Sequence, residues 1–360
     1  MLGLGLGLSL DVGRVSDGGT VGQTYNTEVK IDNTKVSGSA ALVNFPVSLI
    51  ESNFTTNASS LFSNCKSDGG DIRVYSDSDG TTQIPHEIAS IDTGSSKIEI
   101  YIKVPSVSTG ADTSIYLRYG DSTLSMQAVD ATYGRNAVWS DYDRVYHFNQ
   151  DPSTTALLDS SGNEDGITVG TWTSGALIDS AFKKGWQFSG SNYITIDGTT
   201  ALHYDTTTES TYTFGITYND TAAAGQGIYE KTGGAAATRE IELLIYDDSV
   251  TFQIASLWKE DADTIPDDTD LILSCRTRDV TGTDTLDIDW SDTGNLASAV
   301  TTATTSELGS IGGASGGWEG IFFEARMNNS TELGSDWCKT ERENLYNVST
   351  FATAQTPVGL

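Results

Sequence analysis
The chain has 360 residues, room for two ordinary domains, with 20 Lys and Arg against 49 Asp and Glu and a formal net charge of -29. So acidic a surface repels phosphate backbones, which argues against nucleic acid as a partner. Three cysteines, Cys65, Cys275 and Cys338, exclude a disulfide-rich scaffold but leave room for one bridge.

The opening MLGLGLGLSL places Leu2, Leu4, Leu6, Leu8 and Leu10 at every second position, with Gly3, Gly5 and Gly7 between them. It lacks the basic start of a secretory signal, and Asp11 ends the apolar run at once. It is far shorter than the ~20 residues a membrane-crossing helix needs, and no later stretch supplies one. Period two in leucine fits an extended arm that needs a partner surface, or else a disordered tail. Residues 1–20 are therefore read as a docking arm.

Short runs rich in Val, Ile, Thr and Tyr then alternate with Gly, Asp, Asn and Ser turns, and helical periodicity is nearly absent. The first group is YNTEVKI (25–31), ALVNFPVSLI (41–50), GGDIRVYSDSDGTTQIPHEI (69–88), SKIEIYIKVP (96–105) and TSIYLRYG (113–120). In IEIYIKV, Ile98, Ile100 and Ile102 share one face and Glu99, Tyr101 and Lys103 the other, the alternation of a strand with one buried face. After a looser stretch, strands resume at RVYHFNQ (144–150). They continue through WQFSGSNYITI (186–196), STYTFGITY (210–218), REIELLIY (239–246), VTFQIAS (250–256), DLILSCRTRD (270–279), TLDIDW (285–290) and WEGIFFEARM (318–327). SDWCKTERENLY (335–346) alone reads as helix, with Ser335 or Asp336 as cap and Trp337, Glu341 and Leu345 on one face. The expectation is an all-β chain of two β-sandwiches: a smaller one over 21–125, a linker over 126–139, and a larger one over 140–360 with a short C-terminal helix.

Catalytic patterns are scarce. HEIAS (86–90) lacks the second histidine of HExxH, no GxSxG elbow occurs, and His86, His147 and His203 stand far apart. Glu240 and Glu242, like Asp287 and Asp289, lie two apart on strands; a glycosidase could use such carboxylates, but the expected reading is the solvated face of a half-buried strand. Oxygen-rich turns hold Asp68 and Asp71, Asp77 and Asp79, and Asp159, Asn163 and Asp165. These suit either calcium or turns in which the side chains bond their own backbone. Calcium is the single cofactor in view, and none is required. Trp172, Trp186, Trp258, Trp290 and Trp318 are candidate glycan platforms or core residues.

Two resemblances follow from ordered stretches. NFPVSLI (44–50), GGDIRVYSDSDGTTQIPHEI (69–88), IEIYIKVPSV (98–107) and TSIYLRYGD (113–121), with the junction VWSDYDRVYHFNQ (138–150), resemble an uncharacterised β-domain family. That family is found beside laminin-G-like modules in surface proteins of archaea and bacteria and in virion proteins. VYHFNQ (145–150), LLDSSGNEDG (157–166), WQFSGSNYITI (186–196) and GWEGIFFEARMNNSTELGSDWCKTERENLYN (317–347) resemble a concanavalin A-like, laminin-G-like jelly roll. Glu324-Ala325-Arg326 stands there in place of the usual acidic pairing, and the ExDxE pattern of related hydrolases is absent. The combination implies a non-enzymatic phage virion surface protein: a decoration, head fibre or tail-associated adhesin. It would dock on capsid or tail proteins through its arm, assemble as a homo-oligomer such as a trimer, and carry a glycan site. The alternatives are a secreted or cell-surface carbohydrate-binding adhesin and a polysaccharide hydrolase.

Overall fold
The computed structural model describes residues 22–55, 58–153, 156–179, 183–196, 210–219, 225–232, 239–246, 249–254, 257–261, 269–279, 284–288, 292–296, 309–311, 317–328 and 333–360. The Leu2–Leu10 arm lies outside them, as do Trp290, His203 and Asp289. The fold is all-β, built as two sandwiches with short helices near the C-terminus.

In the first sandwich a 6-stranded sheet faces a 3-stranded one. The larger sheet runs Ala352–Ala354, Tyr25–Ile31, Thr113–Tyr119, Arg73–Tyr75, Gln83–Ile84, with Val358–Gly359 also pairing to Tyr25–Ile31. The smaller is Leu42–Ile50, Lys97–Val107, His86–Asp92. Val29, Ile31, Val74 and Leu117 from one sheet meet Val47, Ile100 and Ile102 from the other in a dry core. The chain's end therefore belongs physically to its beginning: Phe351, Ala352 and Ala354 are buried in this first core. The 140–360 range thus supplies strands to both sandwiches.

The second sandwich packs an 8-stranded sheet on a 7-stranded one. Strand Gly320–Asn328 lies inside the 8-stranded sheet, bonded to Arg144–Tyr146, Lys184–Gln187 and Ser210–Tyr218. WQFSGSNYITI, one stretch in sequence, divides into Lys184–Gln187 in one sheet and Tyr193–Ile196 in the other. The core between the sheets holds Tyr146, Phe148, Trp186, Phe214, Trp318 and Phe322. Gly317 introduces Trp318 at φ 61, and a Cβ there would stand 2.1 Å from the carbonyl oxygen of Gly190. Gly317→Ala is expected to lower stability by about 1–3 kcal/mol through that backbone clash. An unchanged urea midpoint would contradict the close approach.

Helix Ser335–Tyr346 spans the expected residues, but Gly334 takes the N-cap position and no side chain caps it, which corrects the Ser335 or Asp336 assignment. Its buried face presents Cys338, Thr340, Glu341, Asn344 and Leu345, and it packs between the sandwiches. Asn344 bonds the backbone of Pro46 and Ser48 in the first sandwich, while Glu341 accepts from Thr213 in the second. The 126–139 stretch contains a helical turn, Arg135–Val138, and ends on Trp139, which is fully buried. Among the described residues no helix is long and apolar enough to cross a membrane. The three cysteines are free thiols.

Candidate functional site: a buried charge network beside a groove
The face of Lys97–Val107 opposite its isoleucines was expected to be wet. It is not: Glu99, Tyr101 and Lys103 are 4%, 0% and 9% exposed. The second sandwich covers them, so this strand is buried on both faces. Alternation still decides which side chain goes where. Ile98, Ile100 and Ile102 fill the first core, and Glu99 and Tyr101 point at the neighbour. In Gly320–Asn328, Ala325 and Met327 fill the second core while Glu324 and Arg326 point back. A third run, Tyr146 to Asn149, does the same, with Tyr146 and Phe148 inside and His147 and Asn149 at the junction. Phe148 sits at φ 52, a left-handed conformation that costs an aromatic residue about 1–3 kcal/mol. That strain is borne between the two residues the junction uses.

Four carboxylates and three cations meet there, all nearly dry. His147 bonds Glu324 through Nδ1 at 3.0 Å and Glu87 through Nε2 at 3.3 Å. Glu87 also accepts from the Trp139 indole N–H at 2.5 Å and the Ser160 hydroxyl at 2.7 Å. Lys183 donates to Glu99 at 2.7 Å, to the Tyr101 hydroxyl at 2.6 Å, and to Glu324. Arg326 joins Glu324 at 2.7 Å and Glu341 at 2.8 Å. Aromatic rings wall the charges in: Tyr101 stacks on His147 with centroids 4.2 Å apart, and the Arg326 guanidinium lies 4.9 Å from the Trp139 ring centre.

The electrostatics follow from that packing. Burial alone would discharge His147, but Glu324 and Glu87 outweigh it and lift its pKa from 6.5 to about 9, so the ring is an imidazolium donating from both nitrogens. Burial pushes the Glu99 and Glu324 carboxyls up, yet Lys183 and His147 hold both below the usual range, Glu324 well below with Arg326 added. Burial, then Glu324 and Glu99, keep the Tyr101 phenol protonated well beyond its ordinary range.

Glu99, His147 and Glu324 offer ligand atoms within 4.8 Å of one another, a grouping with the dimensions to hold a metal ion. In this chain the Lys183 ammonium already lies on both carboxylates, and both imidazole nitrogens are engaged as donors. The arrangement compensates charge and fixes two sandwiches against each other.

Beside the network opens a groove of about 820 Å³ between the sandwiches. Glu99, Asn149 and Lys183 line it on the network side, Asp92, Lys97 and Leu177 lie along it, and Tyr346 stands at its edge, 41% exposed.

The residues singled out from sequence fall elsewhere. Burial pushes the Asp77 carboxyl up, but hydrogen bonds from the backbone amides and side chains of Thr81 and Thr82 together outweigh it and bring it to about 2. Asp71 takes Lys66, Gly120 and Asp121 amides, and Asp68 that of Gly70. Asp159 gathers amides of Val145, Ser161, Asn163 and Glu164, Asp165 takes that of Asp159, and the Asn163 amide donates to the Asp143 carbonyl. Asp68 and Asp77 bond amides of their own turns, whereas Asp71 also ties in Gly120 and Asp121, and Asp159 ties in Val145, both distant in sequence; Asp79 is exposed in the same turn as Asp77. Trp186 and Trp318 are wholly buried, which corrects their reading as glycan platforms, since a core ring offers no face to a ligand. Trp172 is half-buried against the same core, and Trp258 lies on strand Leu257–Asp261. Glu242, expected on a solvated face, is 1% exposed in the 7-stranded sheet opposite Glu230.

A family profile described as a domain of unknown function (DUF2341) matches residues 68–174. That range carries Glu87, Glu99, Trp139 and His147, and stops short of Lys183 and Glu324. None of the curated proteins matches the chain. Among solved structures, the chain is similar to the receptor binding domain of botulinum neurotoxin mosaic serotype C/D, at 12% identity over 59% of this chain and 51% of that one, with a TM-score of 0.42. Domain 4 of AbnA, a GH43 extracellular arabinanase from Geobacillus stearothermophilus in complex with arabinotriose, matches at 14% identity, 56% of this chain and 98% of that one, TM-score 0.41. Trypanosoma rangeli sialidase matches at 8% identity, 68% and 42%, TM-score 0.43. The chain spans about half the length of the botulinum structure it matches. These are loose likenesses of β-sandwich shape.

Proposed function
We propose that this protein is a non-catalytic carbohydrate-binding adhesin, secreted or displayed on a cell surface, with the groove between its sandwiches as the glycan site. The observation that carries the reading is the groove itself. Its volume of about 820 Å³ is that of a small-ligand site, and it sets an exposed ring, Tyr346, beside Asn149, Asp92, Lys97 and several serines. A sugar presents an apolar face to a ring and hydroxyls to amides, carboxylates and ammonium groups, and this lining supplies both. The network underneath pre-orders the groove, so little ordering cost falls on binding. Repeated copies on a surface would raise a weak single-site affinity through avidity.

The non-catalytic assignment is supported by the pairing of Glu99 and Glu324 with Lys183, His147 and Arg326, which holds both carboxyls ionised, so that neither suits the role of a general acid. Placement on a virion, with the Leu2–Leu10 arm docking on capsid or tail proteins and a homo-oligomeric assembly, rests on the resemblance alone.

A glycan array with and without calcium is expected to give binding to a defined saccharide set. Tyr346→Ala, at an exposed helix end, should weaken it about tenfold, the ~1.4 kcal/mol scale of one aromatic contact. Binding that ignores this substitution, or an empty array, would remove the groove from the account.

A further inference from the structure
We propose that the groove between the sandwiches takes uncharged saccharides and excludes acidic ones, a selectivity that rests on the glycan reading above and names the class of sugar it admits. The observation is how the groove's cations are engaged. Three ammonium groups line it, and each already has a carboxylate partner. Lys183 donates to Glu99 at 2.7 Å, to the Tyr101 hydroxyl at 2.6 Å and to Glu324, which occupies all three of its protons. Lys97 lies 2.5 Å from Glu51, and Lys184 lies 3.2 Å from Asp179.

What remains for a ligand is mostly acceptor. Asn149 directs both amide protons inward, to the Ala89 carbonyl at 3.2 Å and to Glu99 at 3.0 Å, and its Oδ1 accepts from no group among the described residues. Asp92 accepts from the Gly94 and Ser95 amides of its own turn. Four carboxylates, Glu51, Asp92, Glu99 and Asp179, stand against the three lysines, on a chain whose formal net charge is -29. The serines of the lining can donate or accept and set no preference. An anion therefore meets a wall negative on balance, inside a long-range field of the same sign.

The two classes of sugar meet this lining differently. A neutral hydroxyl donates to Asn149 Oδ1 and accepts from a spare Lys97 proton, and the Lys97–Glu51 pair stays intact. A carboxylate or sulfate finds no free cation. It reaches Lys97 or Lys184 only by displacing Glu51 or Asp179, which sets two like charges side by side. The Lys97 and Lys184 side chains are 64% and 49% exposed, so access is open. What opposes the acidic sugar is charge, and salt screens charge at such exposed positions.

The test is binding of the whole chain to immobilised neutral hexose oligosaccharides, and to uronate and sulfated oligosaccharides of matched length. The expected result is that the acidic sets bind about tenfold more weakly than the neutral set, or worse. They should gain as salt rises from about 0.15 M to about 1 M, where the Debye length shrinks from ~8 Å to ~3 Å. Glu51→Gln combined with Asp179→Asn, neither residue being buried, frees Lys97 and Lys184 and should admit the uronate set. Acidic oligosaccharides that bind the wild type as well as neutral ones overturn the selectivity and leave the groove reading standing. A folded double variant that still excludes the uronate set overturns it too. Failure of every saccharide to bind removes the groove reading, and this inference with it.

Discussion

Glu324→Ala is expected to cost about 3–5 kcal/mol of folding stability, a large share of what a chain of this kind has to lose. The residue is completely buried and receives His147, Lys183 and Arg326 at once. Its removal takes one carboxylate partner from each of three buried cations walled by Tyr101 and Trp139, leaving His147 with Glu87, Lys183 with Glu99 and Arg326 with Glu341. The cost comes from three lost charge-assisted hydrogen bonds together with the cavity left in the buried junction. Contrast Lys30 and Glu28, a 4.0 Å pair with side chains 45% and 31% exposed, whose separation should change stability by less than about 1 kcal/mol. Urea unfolding of the two variants side by side distinguishes a structural network from a collection of surface pairs. Equal, small losses would contradict the description of the junction.

Alkaline conditions are expected to undo the same junction through His147. Its folded pKa of about 9 stands above the ordinary 6.5, so the folded state binds the proton more tightly than the unfolded chain does. The stabilisation is complete below about pH 6.5 and fades as pH rises through the folded value, a contribution on the order of 3 kcal/mol. The acid side has the opposite sign. Glu99 and Glu324 have depressed carboxyls, so their contribution is present above the ordinary carboxylate range and is lost as pH falls through the depressed values. His86 adds to that acid limb. Burial and then Arg73 hold its pKa near 4, so stability falls as pH drops from 6.5 toward that value. His147→Gln should flatten the alkaline limb and leave the His86 part of the acid limb intact, as measured by urea unfolding across pH.

Much of the fold is written in local pattern. YNTEVKI, TSIYLRY and STYTFGITY are strands at their expected positions, because β-branched and aromatic residues alternate there between Gly, Asp and Ser turns. The site was hidden by that same alternation. Glu99 and Tyr101 on one strand, and Glu324 and Arg326 on another, read as wet-face residues until a second sandwich covers them. Period two tells which residues share a face, not what lies across from it. A signal was present in the types themselves. His147, Trp139 and Tyr101 are costly to leave wet, and Glu-Ala-Arg on a strand otherwise built of Phe, Ile and Met points to a polar group that needs an internal partner. The return of the chain's end was equally illegible. Nothing in ATA at 352–354 names Tyr25–Ile31 as its neighbour, since pairing over that distance is settled by the packing of Phe351 in the first core.

The central claim is that a charged, proton-holding network joins the two sandwiches and sets the groove between them. Nitrogen chemical shifts of the His147 ring, followed across pH in the folded protein, test it most directly. The account predicts an imidazolium protonated on both nitrogens at neutral pH that titrates near 9. A neutral His147 ring at pH 7 would contradict the network and, with it, the ionised state on which the non-catalytic reading stands.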